Sequence, residues 1–292
     1  MLGVIGDVVQ DIVVWPEEPL RPATDTRSTI KILRGGSAAN VAAFAGPRYP
    51  TRFIGAVGKD IAGPALISEL EGLHVETNVQ VSNLPTGTIV VLIDNDGERM
   101  MFPSRGASAD IQQVETGWLD DLALLHITTY SLASDPSASS VIGAVEHVKA
   151  KGGKVSLDLS SVGVIEEYGN DSFKEVLLGL SPDFITGNED ECELVGLTNG
   201  PSAGHLLKRL PHTTLLARAG SNPTRIFTGP SLVAHVPVAP VDVVLDATGA
   251  GDAFNAGFLT EFLKEGNLES ACLTGHALAR SILAFPGATE HA

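Results

Sequence analysis

Short apolar runs alternate with longer amphipathic stretches along most of this chain, and that rhythm constrains its fold more than any other feature. The apolar runs predict strands at Leu2–Ile5, Arg52–Val57, Leu122–Ile127, Lys154–Leu157, Phe184–Thr186 and Thr214–Ala217. Helices are expected between them. One is predicted from about Ile61 to Glu71, with Asp60 as N-cap and Gly72 as its stop. Another begins at Asp135-Pro136, an N-cap followed by proline at the first helical position, and ends near Lys151-Gly152-Gly153. Strand–helix alternation of this kind predicts a mostly parallel central sheet covered by helices on both faces. With 292 residues the chain has room for one such α/β domain or for two.

Two regions break the rhythm. Val8–Leu33 and Thr86–Phe102 look like strands without intervening helices. The second holds Ile89–Ile93, then Asp94-Asn95-Asp96-Gly97, then Glu98–Phe102, a hairpin pattern in which Gly97 supplies the positive φ of the turn. Together the two pieces can form a small accessory sheet over a strand-end crevice, acting as a lid. Open strand edges and apolar residues in these segments predict a homodimer formed through them.

Charge narrows the function. The chain carries 35 acidic and 19 basic residues, a net −16, the reverse of what a nucleic-acid binder needs. A polyphosphate ligand is still compatible, because backbone amides, a few basic side chains and Mg²⁺ neutralise phosphate locally. The longest apolar runs fall far short of the ~20 residues of a spanning helix. The N-terminus lacks a basic region and reaches Asp7 too soon for a signal peptide. Cys192 and Cys272 have no ligand-like spacing, so a disulfide-free cytoplasmic protein is expected. None of the eight histidines falls in a metal-ligand spacing, and His126, inside an apolar run, reads as a packed strand residue. No internal repeat or low-complexity tract is present.

Residues 246–254, Asp-Ala-Thr-Gly-Ala-Gly-Asp-Ala-Phe, carry the chemistry. They follow the apolar stretch Val241–Leu245 and lead into a helix predicted over Ala253–Lys264. Glycines just before a helix let the backbone approach an anion, and the first-turn amides and helix dipole then point at it. A carboxylate at Asp252 beside that anion hole suits phosphoryl transfer: amides for the developing charge, a base for the attacking hydroxyl. The plain alternative is an ordinary helix N-terminus with an Asp complementing the dipole.

This nonapeptide resembles the C-terminal signature of the ribokinase-like (PfkB) carbohydrate kinase family. The N-terminal signature is matched by Gly35-Gly36-Ser37-Ala38-Ala39-Asn40-Val41-Ala42, followed by Gly55-Ala-Val-Gly58-Lys-Asp60 with Gly63. Asp11 matches an early lid-strand Asp, and Asn188-Glu189-Asp190-Glu191 matches an NxxE motif. The resemblance spans nearly the whole chain. It implies one ribokinase-like α/β domain over residues 1–292, a doubly wound sheet with lid segments at about 8–33 and 86–106. The implied reaction is ATP-dependent phosphorylation of a sugar or nucleoside hydroxyl. By similarity Asp252 is the catalytic base, and Gly249, Ala250 and Gly251 form the anion hole. Gly35, Gly36 and Asn40 line the sugar site with Asp11, Asn40 offering a donor and an acceptor to vicinal hydroxyls. Gly36 has its own reason, since a side chain there would fill substrate space. Asn188, Thr248, Gly220 and Arg218 fall on the nucleotide side. Glu191 matches a position that holds Mg²⁺ through water, its alternative being a solvated helix acid. Asp246 belongs, in several relatives, to a monovalent-cation site whose other wall is Pro286-Gly287-Ala288, which leaves K⁺ as an optional third component beside ATP and Mg²⁺.

Two departures from the family pattern bear on specificity. The nucleotide-side strand usually ends in Thr-x-Gly-x-x-Gly, whereas here it reads Arg218-Ala219-Gly220-Ser221-Asn222-Pro223. Arg218 either places a charge on a phosphate or is solvated. Ser37 stands where relatives acting on sugar phosphates often carry Lys, which favours an unphosphorylated substrate of ribose, fructose or keto-sugar-acid type. A nucleoside is the same-class alternative. Arg34 and Arg105 are able to bind a carboxylate or phosphate, or are plain exposed lid charges. Tyr130 and Phe102 either stack on substrate or belong to the core. Outside this class, a catalytically silent sugar-binding regulator is disfavoured by the presence of Asp252 with both glycines. A nucleotide-dependent oxidoreductase is disfavoured because no GxGxxG follows the first strand.

Overall fold

The structure, a computed structural model, describes residues 1–94, 99–241, 244–284 and 288. The strands β1 (Leu2–Ile5), β4 (Thr51–Gly58), β5 (Val75–Ser82), β8 (Leu124–Thr128), β9 (Lys154–Asp158), β10 (Phe184–Asn188), β13 (Thr214–Ala219), β14 (Asn222–Thr228) and β15 (Ser231–Val236) form one sheet. Its order is β15-β14-β13-β10-β9-β8-β1-β4-β5. The ladder is parallel from β13 to β5, and β14 and β15 extend it antiparallel. The helices are α1 (Ser37–Ala45), α2 (Ala62–Gly72), α3 (Ser137–Ala150), α4 (Val162–Tyr168), α5 (Asn170–Leu180), α6 (Glu189–Leu194), α7 (His205–Lys208), α8 (Ala250–Glu265) and α9 (Leu268–Ile282). A two-stranded hairpin, β11 (Thr198–Asn199) with β12 (Ser202–Ala203), follows α6.

Both faces of the sheet are buried, as the near-continuous apolar strands require. Neighbours in one strand point to opposite cores: Ile185 and Leu215 pack with Val145 and Phe173, while Phe184 and Leu216 pack with Phe258 and Ala42. His126 on β8 is fully buried, with Nδ1 3.1 Å from Ser156 Oγ, and burial pulls its pKa down to about 4.

A second sheet holds β2 (Val9–Pro16), β3 (Ser28–Gly35), β6 (Gly87–Ile93) and β7 (Arg99–Ser104) in the order β3-β2-β6-β7. The predicted lid segments therefore do pair. Register sorts their side chains into two faces. Ile12 lies opposite Ile32 and Val90, Val14 opposite Ile30 and Leu92, Val90 opposite Phe102, and Leu92 opposite Met100. This eight-residue apolar face turns outward: Ile30, Ile32, Met100 and Phe102 are 51–63% exposed. Asp11, Ile89, Met101 and Pro103 share the opposite face, which lines a deep cavity.

Several local expectations need correction. Leu122 and Ala123 precede β8 and are not strand. The cap of α2 is Ile61, and Gly72 is its last residue, although Asp60 Oδ1 accepts from Gly63 N at 3.1 Å. Pro136 precedes α3 as its cap instead of opening it, while Asp135 Oδ1 accepts from Ser139 N. In the apolar stretch before the 246–254 motif, Val244 and Leu245 are exposed, and residues 242 and 243 lie outside the described residues. So do Asn95–Glu98 of the predicted hairpin turn and Pro286-Gly287 of the predicted cation loop.

Candidate active site

Strands β1, β9, β10 and β13 end at one edge of the sheet, where ligands of open α/β sheets bind. There a continuous cavity of about 990 Å³ runs from beneath the lid to the start of α8. Thirteen of the fifteen predicted site residues line it; Gly35 and Asp246 do not.

Helix α8 begins at Ala250 with Gly249 as a left-handed cap (φ 76°) that offers no side-chain acceptor to the first-turn amides. A β-carbon at Gly249 would also strike Ala288 at 2.4 Å. Asp252, in that first turn, faces the cavity. Its Oδ1 accepts from Ser37 Oγ at 2.6 Å and its Oδ2 from Asn40 Nδ2 at 2.9 Å. Burial lifts its carboxyl to about 7, against these two hydrogen bonds, with Asp158 and Asp7 adding to the rise. The carboxyl thus lies near neutrality, where a general base is most effective.

Asn40 uses its acceptor internally as well. Its Oδ1 accepts from Arg34 Nη1 and its Nδ2 donates to Asp252, so each end of the amide is engaged once and keeps one further hydrogen-bonding position. Arg34 itself is not an exposed lid charge. It is 4% exposed, and its Nε also donates to Glu69 Oε1 at 3.1 Å.

Asp11, on the cavity face of β2, has a buried Oδ1 with no hydrogen-bond partner among the described residues. Burial, then the neighbouring Asp7, raise its pKa to about 6. An orphaned acceptor at the cavity wall suits a donated hydroxyl hydrogen. Gly35 lies behind it, where any β-carbon would come within 2.3 Å of that oxygen. Gly36 lines the cavity, and its backbone gives glycine a further reason. Its φ is 94°, and a β-carbon would meet the carbonyl oxygen of Asp7 at 2.6 Å.

The nucleotide side contains an ion pair. Arg218 Nη2 bonds Asp158 Oδ1 at 3.1 Å, and its guanidinium lies 5.5 Å from the Phe254 ring centroid. Its Nε is buried without a partner among the described residues. The solvated alternative for Arg218 therefore fails. Asn188 and Glu191 form a capping box on α6: Asn188 Oδ1 accepts from Glu191 N at 2.9 Å, and Glu191 Oε2 from Asn188 N at 2.8 Å. Glu191 is buried, not solvated, and burial followed by Asp158 raises its pKa. Gly220 (φ 60°) lies in the β13–β14 turn.

Asp246 is behind the anion hole. Its Oδ1 accepts from Thr248 N at 2.7 Å and from Arg99 Nη2 of the lid at 2.5 Å, while Arg99 Nη1 donates to Thr248 Oγ1. Arg105 faces the cavity, its guanidinium 5.3 Å from the Tyr130 ring centroid and Nη1 3.4 Å from Tyr130 O. Phe102 turns outward, away from substrate.

Sequence reasoning passed over Asp7, Asp158 and Arg99. Asp7 caps α1, accepting from Ser37 N at 3.0 Å and Ala38 N at 3.1 Å. The usable signal was position: Asp7 and Asp158 both stand at carboxyl ends of central strands. Nothing local marked Arg99. Among the described residues no group of three or more His, Cys, Asp or Glu is arranged to hold a metal, and no helix is long and apolar enough to cross a membrane.

An unpartnered carboxylate oxygen, a carboxyl near neutrality and an uncapped helix N-terminus share one cavity, an arrangement that suits a small-molecule phosphotransferase. Residues 1–291 match the pfkB family carbohydrate kinase family, to which this chain belongs. It is 30% identical over 287 residues to a fructokinase of Vibrio alginolyticus, covering 94% of this chain and 84% of that one. To a ribokinase of Arabidopsis thaliana it is 29% identical, covering 96% and 75%. The crystal structure of adenosine kinase from Sinorhizobium meliloti superposes with a TM-score of 0.86 at 19% identity, covering 100% and 96%. Kinases of this family use ATP with Mg²⁺.

Proposed function

We propose that this chain transfers the terminal phosphoryl group of ATP to a hydroxyl of a small unphosphorylated sugar, of ribose, fructose or keto-sugar-acid type. The observation that carries this is Asp252: both its oxygens are held by donors, its pKa is near 7, and it lies in the first turn of α8. From there it takes the proton of the attacking hydroxyl. The amides of Gly249, Ala250 and Gly251 face the phosphate, and Arg218 adds a guanidinium beside them. Thr248 and Gly220 border the nucleotide. Mg²⁺, when bound, screens phosphate charge and keeps several waters, and Glu191 and Asn188 are the residues to hold such a water. Glu191 is buried near the Asp158–Arg218 pair and Asn188 is exposed at the cavity wall, which suits a hydrated ion shared with phosphates. Asp246 would bind K⁺ only by sharing the carboxylate that Arg99 already engages.

On the sugar side Asp11, Asn40 and Gly36 present acceptor, donor and room. The lid over them excludes water, which keeps ATP from hydrolysis. Residues 1–292 would act as one kinase domain, pairing with a second copy through the apolar outer face of the lid. Arg105 in the cavity makes room for a sugar acid beside the neutral sugars, because it can meet a carboxylate. A nucleoside is the alternative, and the cavity volume accommodates one.

ADP release from Mg-ATP is to be measured against ribose, fructose, a keto-sugar acid, a sugar phosphate and adenosine. A neutral sugar or sugar acid should exceed the sugar phosphate at least about tenfold in kcat/KM. Adenosine as best acceptor selects the alternative. No ADP release with any acceptor points to a silent sugar-binding protein.

A further inference from the structure

Asp252 depends on neighbours for its orientation, and one of them has a choice of state. The Ser37 hydroxyl can rotate to donate, but an amide turned over at Asn40 would present an oxygen to the carboxylate. Arg34 prevents that. A guanidinium only donates, so Asn40 must keep Oδ1 toward Arg34 and Nδ2 toward Asp252. Arg34 is held in turn by Glu69 Oε1 at 3.1 Å and by Ala288 O at 3.3 Å. These contacts join the end of lid strand β3 to α1, to α2 and to Ala288, which lies against Gly249.

We propose that Arg34 is a positioning residue for phosphoryl transfer, locking the Asn40 amide so that the base at position 252 always meets a donor. This rests on Asp252 being the base. Arg34 never touches substrate in this arrangement, since it does not line the cavity.

The groups facing Asp252 set the sign of the effect. Asp7 follows β1, Asp158 ends β9, Tyr130 lies in the turn after β8, and Arg34 comes from β3; Ser37 and Asn40 of α1 donate. The acids raise the Asp252 pKa, and Arg34 and the two donors oppose them. Removing Arg34 therefore moves the titration of Asp252 upward.

Carbon-detected NMR of the aspartate carboxyls reads this without substrate, with Asp252→Asn assigning the signal. In Arg34→Gln the Asp252 titration should rise by at least about half a pH unit. Arg34→Lys, which keeps the charge but not the planar fork, should rise less, and it serves if the glutamine variant does not fold. With Mg-ATP and fructose, ribose or adenosine, whichever is turned over, the acid limb of kcat should move with the titration, while KM for ATP stays within about twofold. Adding Arg34→Gln to Asn40→Ala should shift the limb by less than Arg34→Gln does alone, because only the guanidinium charge is then lost and no amide is left to lock. An unmoved Asp252 titration in a folded Arg34 variant overturns the proposal. If the titration moves as expected but no acceptor is phosphorylated, the kinase reading fails and the lock on Asp252 stands.

Discussion

Arg218 lies so close to Gly251 that a β-carbon at position 251 would come within 2.6 Å of its Nη1. The guanidinium is thus pressed against the first turn of α8, braced by Asp158 and the Phe254 ring. Gly251 has ordinary helical backbone, so alanine there adds no strain of its own and acts only by displacing Arg218. Gly251→Ala is expected to lower kcat/KM for ATP about tenfold, roughly 1.4 kcal/mol. In an Arg218→Met background the same change should cost markedly less, giving a coupling above about 0.5 kcal/mol. Steady-state kinetics on the four proteins checks this, and additive losses would separate the two residues.

Asp252→Asn removes proton acceptance while keeping the shape of the side chain. kcat should fall by about three orders of magnitude, with ATP and sugar affinity within a few-fold. Retention of a tenth of the wild-type kcat would remove Asp252 from the role of base. In the wild type, kcat should decline as the pH drops below about 7, as the base becomes protonated.

The same raised pKa has a consequence for stability. Asp252 titrates near 7 when folded, against an ordinary value of 3.8. Its protonated form is favoured by folding, so its contribution is fully present below about pH 4 and is lost as the pH rises through about 7. An asparagine at this position has no proton to lose. Calorimetry should therefore find Asp252→Asn with a Tm above wild type at pH 8 and an advantage that shrinks toward pH 4. An equal or lower Tm at pH 8 would contradict the burial argument.

Glu191→Gln keeps an acceptor for Asn188 N but deletes the charge beside Asp158 and Arg218. The Mg²⁺ concentration for half-maximal rate should rise several-fold, with kcat at saturating Mg²⁺ less affected. A superimposable Mg²⁺ titration would leave Glu191 as the cap of α6 alone.

Asp7, Asp11 and Asp252 line the cavity together with Arg105, Arg218 and Arg280; Arg218 is paired with Asp158, and Arg105 stands over the Tyr130 ring. Two unit charges ~5 Å apart at an effective dielectric of ~20 interact by roughly 3 kcal/mol, about a hundredfold in affinity. Arg105→Met should therefore lower kcat/KM for a sugar acid by at least about tenfold and leave a neutral sugar within about threefold. Equal losses for both would make Arg105 a support for Tyr130.

The outer lid face, with Ile30, Ile32, Met100 and Phe102 exposed, is expected to pair with its copy. Light scattering at micromolar concentration should give a dimer, and Ile32→Glu a monomer. A monomeric wild type would leave that face without the predicted role.

The sheet and the anion-hole helix were legible in the chain because their causes are local. A run such as Leu2–Ile5 is apolar throughout because a central parallel strand is buried on both faces, and glycines at 249 and 251 announce a backbone that an anion can approach. The lid, too, could be read from alternation within each segment. Its two faces could not, since they follow from register between strands such as β2 and β6, far apart in the chain. The rest of the site depends on distance in sequence. Ser37 and Asp252 are 215 residues apart and Arg34 and Ala288 are 254 apart, brought together only by the order in which strands pair. Arg34 looks like a surface charge in the sequence because an arginine is normally solvated; it is buried because Asn40, Glu69 and Ala288 together satisfy its guanidinium. Motif residues declare themselves through their neighbours, whereas a buried charge is explained only by the partners that the tertiary fold delivers.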